Sequence, residues 1–348
     1  MNLSNEIGIA ERAEGMLWGL FIGDALAMPT HWYYDQEQLK ADYGEVTDYK
    51  APVNPHPGSI LWRSRYSPPA PRADILHDQA KYWGQEDIHY HQFLEAGENT
   101  LNAQLCRLLW GVLNDECGWN AEAFFSAYIQ FMTTPGMHRD TYVEEAHRVF
   151  FRNYGFGKDP SNCAEAEKHV GGLGFLFPVL AYYLERYRLG KVLALKQLEL
   201  THGGRLMAEA SSILFDVLEG ILQGSRPSEA VEAVVATQRS FLLKGSWQKW
   251  LHQETRYCMG RAIGTVCYVE YAIPAILYLL WKYGDDPERA LIENTMSGGD
   301  NCHRGMVLGA ILGAAYGVDA FPERWRAELK EPVDMLPRVR WNAGVEAG

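Results

Sequence analysis

The chain of 348 residues lacks the patterns that mark several common classes of protein. None of its six cysteines falls in a C-x-x-C pair, so we expect neither a disulfide framework nor a structural zinc site. Its formal net charge of −12 disfavours nucleic acid as a partner, because an acidic surface repels phosphate backbones. No apolar run is long enough to span a bilayer, and no basic stretch precedes an apolar core near Met1. We therefore expect a cytoplasmic protein that binds neither nucleic acid nor membrane. Its oligomeric state cannot be read from the sequence.

The chain is rich in helical periodicity, whereas alternating strand patterns are almost absent. No fixed repeat and no linker-like change in composition divides it. We therefore predict one all-α domain over residues 1–348. The helices are expected near residues 6–28, 90–113, 120–132, 139–151, 164–189, 191–201, 205–223, 227–243, 258–283, 286–296 and 302–316.

Residues 45–80 differ from the rest, since six of the 16 prolines fall there. Prolines at this density prevent a regular helix or a central strand. The stretch also carries Trp62, Arg63 and Tyr66. A long irregular insert in an otherwise regular domain is often a lid or a binding loop, so we expect this segment to cover part of a substrate.

A first polar group of residues lies within the helix predicted near 90–113. Its members, which fall at spacings of three and four and so on one helical face, are Glu95, Glu98, Asn99 and Asn102. Oxygen ligands on one face suit a hard cation such as Mg²⁺. The competing interpretation is a solvated polar stripe, which is common on helices.

A second polar group occupies residues 298–304, GGDNCHR, directly before a small-residue helix. Asp300 or Asn301 can cap that helix, which would be a purely structural role. Burying Asp, Asn, Cys, His and Arg in succession is costly, however, unless the site has a function. We therefore predict that this turn forms part of a functional site.

Two shorter polar features complete the set. Asp24 lies near the end of an apolar helix, where burial requires a partner or a ligand. His202 precedes two glycines, which permits either a simple helix end or a position lining a pocket. Gly15, Gly19 and Gly23 lie four residues apart and would allow another helix to approach closely.

Taken in order, these segments resemble the ADP-ribosylglycohydrolase family, which includes the dinitrogenase-reductase-activating glycohydrolases and the ADP-ribosylarginine hydrolases. The segments that carry the resemblance are residues 13–26 (AEGMLWGLFIGDAL), 201–203 (THG), 272–275 (AIPA) and 297–317 (SGGDNCHRGMVLGAILGAAYG). The resemblance covers about residues 10–317. It implies a compact all-α fold with a central cleft. It further implies two Mg²⁺ or Mn²⁺ ions there and hydrolysis of an N- or O-glycosidic bond to ADP-ribose.

The sequence departs from both metal motifs of that family. Where T-D-D-T is expected it has Gly97-Glu98-Asn99-Thr100, and where G-G-D-T-D-T is expected it has residues 298–303, GGDNCH. His31 stands where the family places an acidic residue. Two Mg²⁺ ions need several anionic oxygens, so we expect at most one divalent cation, Mg²⁺ or Mn²⁺, with Zn²⁺ ranked behind them.

The resemblance therefore implies a hydrolase with altered metal use that acts on a small ribosyl or ADP-ribosyl substrate, which in some cases is attached to a modified protein. The predicted metal ligands are Asp24, Glu98 and Asp300, and the predicted catalytic residues are Glu98, Asp300 and His31. The predicted substrate-binding residues are Asn99, Asn301, His303 and His202. The alternative is a non-catalytic ADP-ribose-binding or structural protein on the same fold, since few carboxylates remain at the matched positions.

Overall fold

Two buried helices with glycines along their facing sides lie side by side at the centre of the fold. They are α1 (Ile9–Ala27) and α14 (Asn301–Tyr316), and both are almost entirely buried. They run antiparallel with their backbones in contact, because a Cβ atom on Gly19 would lie 2.0 Å from the carbonyl oxygen of Gly309. The facing pairs are Gly15 with Gly313, Gly19 with Gly309, and Gly23 with Gly305. The close approach predicted from the glycine spacing is confirmed.

The computed structural model describes residues 7–331, and helices account for most of their regular structure. Around the central pair lie helices α2 (Gln36–Tyr43), α3 (Leu101–Asp115), α4 (Ala121–Thr133), α5 (Glu145–Gly155), α6 (Leu176–Tyr182), α7 (Tyr187–Glu199), α8 (Arg205–Leu222), α9 (Pro227–Thr237), α10 (Trp247–Leu251), α11 (Thr255–Tyr257), α12 (Val269–Tyr283), α13 (Pro287–Met296) and α15 (Glu323–Glu328). A continuous buried apolar core runs from Ala13 to Leu329. Within residues 7–331, none of the helices is long and apolar enough to cross a membrane.

Strands contribute very little to the described residues. Two strands of two residues each, β1 (Glu165–Ala166) and β2 (His202–Gly203), pair in parallel, with Glu165 opposite His202. The all-α fold class is therefore confirmed. The short pairing fixes the backbone of His202 beside a buried cluster, so His202 is not a simple helix end.

The helix predicted near residues 90–113 begins only at Leu101, and this corrects the expected one-face arrangement. Residues 89–100 form turns, and Gly97 adopts a φ of +83°, which is incompatible with a right-handed helix. Thr100 is the N-cap residue. Glu95, Glu98 and Asn99 therefore lie outside the helix, and only Asn102 is on it.

Other predicted helices also differ in their limits. The stretch predicted at 139–151 begins at Glu145, and the one at 227–243 ends at Thr237. The stretch at 164–189 is divided into a 3₁₀ segment (Val170–Phe175) and α6. The stretch at 258–283 is divided into a π-helical turn (Cys258–Ile263) and α12, in which Pro274 is accommodated. Helix α2 was not predicted.

Residues 45–80 are irregular, as their prolines predicted. They contain short 3₁₀ turns at Leu61–Arg63, Pro71–Ala73 and His77–Tyr82. The segment is attached to the core, since the ring of His56 stacks on Tyr33 at 3.9 Å and Ile60 N donates to the Tyr90 hydroxyl. That the segment acts as a lid stays a prediction.

Candidate active site

Asp24 is fully buried near the end of α1 and attaches that helix to the start of α3. Its Oδ2 accepts hydrogen bonds from Thr100 N (2.7 Å) and Asn99 Nδ2 (2.9 Å), and its Oδ1 accepts one from Thr100 Oγ1 (2.6 Å). Burial raises the pKa of Asp24, although these donors act in the opposite direction. Both oxygens are thus engaged by the protein, and the arrangement positions the N-terminus of α3.

A hydrogen-bonded chain of four buried side chains lies beside Asp24. Asp140 Oδ1 lies 2.6 Å from His91 Nδ1, and His91 Nε2 lies 2.6 Å from His31 Nδ1. His31 Nε2 in turn lies 3.3 Å from Asp300 Oδ1. The two imidazole rings are nearly parallel, with an interplanar angle of 5° and 4.9 Å between their centroids. The chain connects the turn before α14 with the segment that precedes α5.

The number of available protons explains the unequal contacts in this chain. Three contacts between two carboxylates and two imidazoles require three protons, whereas two neutral imidazoles carry two. Burial lowers the pKa of His31 to about 4, which keeps its ring neutral at physiological pH. The contact between His31 and Asp300 is the longest of the three, as expected where two lone pairs face each other. A cation or an added proton would be stabilised there.

Asp300 also contacts His303, one turn later on α14. His303 Nδ1 lies 2.9 Å from Asp300 Oδ1 and 3.1 Å from Oδ2. Burial by itself disfavours a charged imidazole, but Asp300 outweighs it and raises the pKa of His303 to about 9. Burial also opposes ionisation of Asp300, but the charge and hydrogen bond of His303 more than compensate, so the pKa of Asp300 lies well below its ordinary value. Asp300 and His303 therefore form a buried carboxylate–imidazolium pair.

Glu144, the N-cap residue of α5, is a buried carboxylate with one oxygen in use. Its Oε2 accepts from Asn102 Nδ2 (2.6 Å) and from His202 Nε2 (3.3 Å). Its Oε1 is buried and has no hydrogen-bond partner among residues 7–331. Burial by itself would raise the pKa of Glu144. His202 and, to a smaller extent, His303 outweigh burial and lower this pKa. The unpaired oxygen is thus charged at neutral pH, which is costly unless a ligand or water approaches it.

Further polar contacts hold the partners of Glu144 in place. The Thr201 hydroxyl lies 2.8 Å from His202 Nδ1, and the Tyr128 hydroxyl lies 2.7 Å from His147 Nδ1. His147 Nε2 lies 3.2 Å from Asn102 Oδ1. Burial lowers the pKa of His147 to about 3, so its ring is neutral. A neutral His147 ring accepts from the Tyr128 hydroxyl at Nδ1 and donates from Nε2–H to Asn102 Oδ1, and Glu144 Oε1 remains as the group available for chemistry.

A narrow cavity of about 10 Å³ joins the two clusters. Its walls are formed by the side chains of His31, His91, Thr100, Leu101, Asn102, Asp140, Tyr142, Glu144 and His303. This volume is near the lower limit for one water molecule. Trp32 packs against two residues of the cavity wall, with its ring 4.2 Å from that of Tyr142 and 4.5 Å from that of His31. Its φ of +64° is a strained backbone conformation for so bulky a residue.

The structure brings together only some of the residues predicted to form the site. Asp300, His31, His303 and His202 lie at or beside the cavity, as described above. Glu98 does not: it binds Arg139 and the backbone N–H of Glu95. Asn99 donates to Phe21 O and Asp24, and Asn301 donates to Thr30 and Thr295 O. Asp300 is the N-cap residue of α14, but its side chain makes no capping hydrogen bond.

Several residues of the cavity were not predicted from the sequence. They are His91, Asp140 and Glu144 in its wall, and His147, which contacts Asn102 beside it. Glu144 and His147 lie three residues apart in the stretch VEEAH, which is a signal for two polar side chains on one helical turn. His91 and Asp140 carry no such signal, since they are brought together only by the tertiary fold.

The all-α architecture agrees with a comparison with known proteins. A statistical description of the ADP-ribosylglycohydrolase family matches residues 5–344. This chain belongs to the ADP-ribosylglycohydrolase family. A solved structure described as an "ADP-ribosylglycohydrolase-related protein complex" is similar, with a TM-score of 0.63 and 20% identity over 92% of this chain and 93% of its own. At that identity the likeness shows the fold alone. No curated protein matches the sequence.

The family generally binds divalent metal ions, but a magnesium pair does not fit the residues of this member. Four positive charges need several anionic oxygens, whereas Asp24 is engaged by Thr100 and Glu98 by Arg139. In the described part of the chain, three groups offer ligand atoms within 4.8 Å of one another: His31–His91–Cys302, His31–Asp300–His303 and Glu144–His147–His202. Their donors are mainly imidazoles, which suit a transition metal better than Mg²⁺.

Proposed function

We propose that this member hydrolyses a glycosidic bond to ribose in an ADP-ribosyl or related ribosyl compound, with Glu144 and His303 as the reacting pair. One observation carries the proposal: the unpaired Oε1 of a buried, ionised Glu144 belongs to a residue that lines the same cavity as His303. Their neighbours move the two pKa values in opposite directions, which is a feature of acid–base pairs in enzymes.

His303 is suited to act as the general acid. With its pKa raised to about 9, it is protonated at neutral pH. Its Nδ1–H is held by Asp300, so Nε2–H is the proton that can be given to the leaving nitrogen or oxygen. The bond between ribose C1 and the leaving group then breaks, and positive charge develops on C1 and the ring oxygen of the ribose.

Glu144 is suited to stabilise that charge and to direct the attacking water. An ionised carboxylate beside an oxocarbenium-like transition state is stabilising, and its free oxygen can accept a hydrogen bond from water. The charge on His303 contributes to the low pKa of Glu144. When His303 gives up its proton, that contribution vanishes, so Glu144 becomes a better acceptor for the proton that water releases.

Substrate cannot enter the cavity as it stands, since it has room for about one water molecule. Trp32 and Tyr142 would have to move, and the strained backbone of Trp32 lowers the cost of moving that residue. The alternative function, a protein that binds ribosyl compounds without hydrolysing them, is favoured by the engagement of Asp24 by Thr100 and of Glu98 by Arg139, which leaves few free carboxylates.

The test compares release of ADP-ribose from ADP-ribosylated protein and from small ribosyl compounds by wild type, Glu144→Gln and Glu122→Gln. Glu122 is an exposed glutamate on α4 and serves as the matched control. We expect Glu144→Gln to reduce turnover about 10²- to 10⁴-fold and Glu122→Gln to leave it unchanged. If wild type binds ADP-ribose but releases none from any substrate, the binding function is favoured and hydrolysis is excluded.

A further inference from the structure

A second cavity, of about 160 Å³, lies between the proline-rich segment and α5. One wall is residues 65–69 with Ala73 and Ile75, and the other is a stripe of α5 formed by Glu145, Arg148, Val149, Phe151 and Arg152. Its volume is several times the roughly 30 Å³ of a water molecule. The cavity is therefore large enough for a small ligand group, unlike the one beside Glu144.

Three arginines line this cavity in a protein whose net charge is −12. Arg65 donates only to the backbone carbonyls of Trp62 and Ser64 among its described hydrogen bonds. Arg148 donates to Val143 O and lies 5.1 Å from the centre of the Trp83 ring. Arg152 lies 3.5 Å from Glu165, and both side chains of this pair are about half exposed. The three guanidinium groups therefore retain donors for an anion.

The position of the cavity relative to Glu144 suits a ligand that reaches both. Arg148 follows Glu144 by one helical turn on α5, a distance of about 5–6 Å. Tyr142, which lines the small cavity, stacks on Trp83 at 5.7 Å, and Arg148 lies over the same Trp83 ring. A phosphate on the far side of a ribose from its reacting carbon would lie at this separation.

We propose that the cavity formed by Arg65, Arg148 and Arg152 binds the phosphate or diphosphate group of a phosphorylated ribosyl substrate. Planar guanidinium groups match phosphate oxygens with paired hydrogen bonds, and the charge on each guanidinium makes these bonds stronger than those between neutral groups. The identity of the sugar attached to the phosphate rests on the proposed function. Binding of the anion itself does not depend on that function. The inference assigns to the proline-rich segment, through Arg65, a part in substrate recognition.

Binding measurements on the full chain test the proposal with inorganic pyrophosphate, ADP-ribose and adenosine. The variants are Arg65→Gln and Arg152→Gln, whose side chains are exposed, so we expect folding to be preserved. Arg63→Gln is the matched control, since Arg63 belongs to the same segment, is exposed and lies over Trp62 outside the cavity. A melting curve for each variant verifies that it is folded.

We expect each cavity variant to weaken pyrophosphate and ADP-ribose about tenfold, because a hydrogen bond to a charged group contributes about that factor. Adenosine binding should not change, and the control should match wild type. Unchanged pyrophosphate binding in both cavity variants, or none by wild type, would overturn the proposal. If the variants lose pyrophosphate but wild type cleaves no ribosyl compound, only the hydrolase function fails. If wild type cleaves phosphorylated and phosphate-free ribosides equally well, the proposed phosphate site is wrong, whereas the hydrolase function is supported.

Discussion

His91 Nε2 lies 2.6 Å from His31 Nδ1, and this contact aligns the other nitrogen of His31 with Asp300. With the His31 ring neutral, its Nδ1–H donates a hydrogen bond to His91 Nε2, and His91 Nδ1–H donates one to Asp140 Oδ1. His31 Nε2 then presents a lone pair to a carboxylate. A metal ligand whose second ring nitrogen is held in this way is a common arrangement in metalloproteins.

We therefore expect one transition-metal ion to bind at His31 and Asp300 more tightly than Mg²⁺ does. Calorimetric titration with Co²⁺, Zn²⁺ and Mg²⁺ checks the order, and a bound ion should raise the melting temperature by mass action. His31→Gln should abolish the transition-metal signal, whereas His252→Gln, an exposed histidine elsewhere, should keep it. Equal affinity for Mg²⁺ and Co²⁺ in wild type would contradict this prediction.

The raised pKa of His303 predicts an alkaline limit for both activity and stability. Its folded pKa of about 9 exceeds the ordinary value of 6.5, so the charged pair with Asp300 stabilises the fold fully below about pH 6.5. That contribution is lost as the pH rises through about 9. We expect turnover to fall about tenfold per pH unit above 9, as measured in a pH–rate profile. The same alkaline limb in His303→Gln would show that another group is responsible.

The two carboxylates first predicted as metal ligands should behave differently when they are replaced. Asp24→Asn places an amide N–H₂ against donors, so at least one buried hydrogen bond is lost, and we expect about 2–4 kcal/mol of destabilisation. Glu98→Gln weakens a partly exposed pair with Arg139 and should cost less than about 1 kcal/mol. Urea unfolding measures both. A large loss of activity in Glu98→Gln without unfolding would restore its predicted catalytic role.

The contact between α1 and α14 predicts an unusual sensitivity to a single methyl group. Gly19→Ala would place Cβ 2.0 Å from Gly309 O, so the helices must separate, and we expect at least about 3 kcal/mol of destabilisation. Gly111→Ala on α3 is the control, because a Cβ there meets no atom within 4 Å and alanine favours the helix. Thermal unfolding of the two variants should shift in opposite directions.

Parts of the site followed from local sequence. The cost of burying Asp300 and His303 beside a small-residue helix indicated a functional turn. His303 lines the cavity, and Asp300 contacts both His303 and His31. The helical face expected for Glu98 and Asn99 did not form, because helical spacing was extended across Gly97, whose positive φ ends the pattern before Leu101. Helical spacing predicts the direction of a side chain only for residues that lie within a helix.

The sequence by itself determined the helical class, the close approach of α1 and α14, and the irregular proline-rich segment. These depend on local backbone preferences and on residue size, which short stretches carry within themselves. The tertiary structure alone decided that Asp140, His91 and His31 form a chain and that Glu144 faces His303 across one cavity. These residues are far apart in sequence, and their separations and pKa values depend on how the helices pack and exclude water.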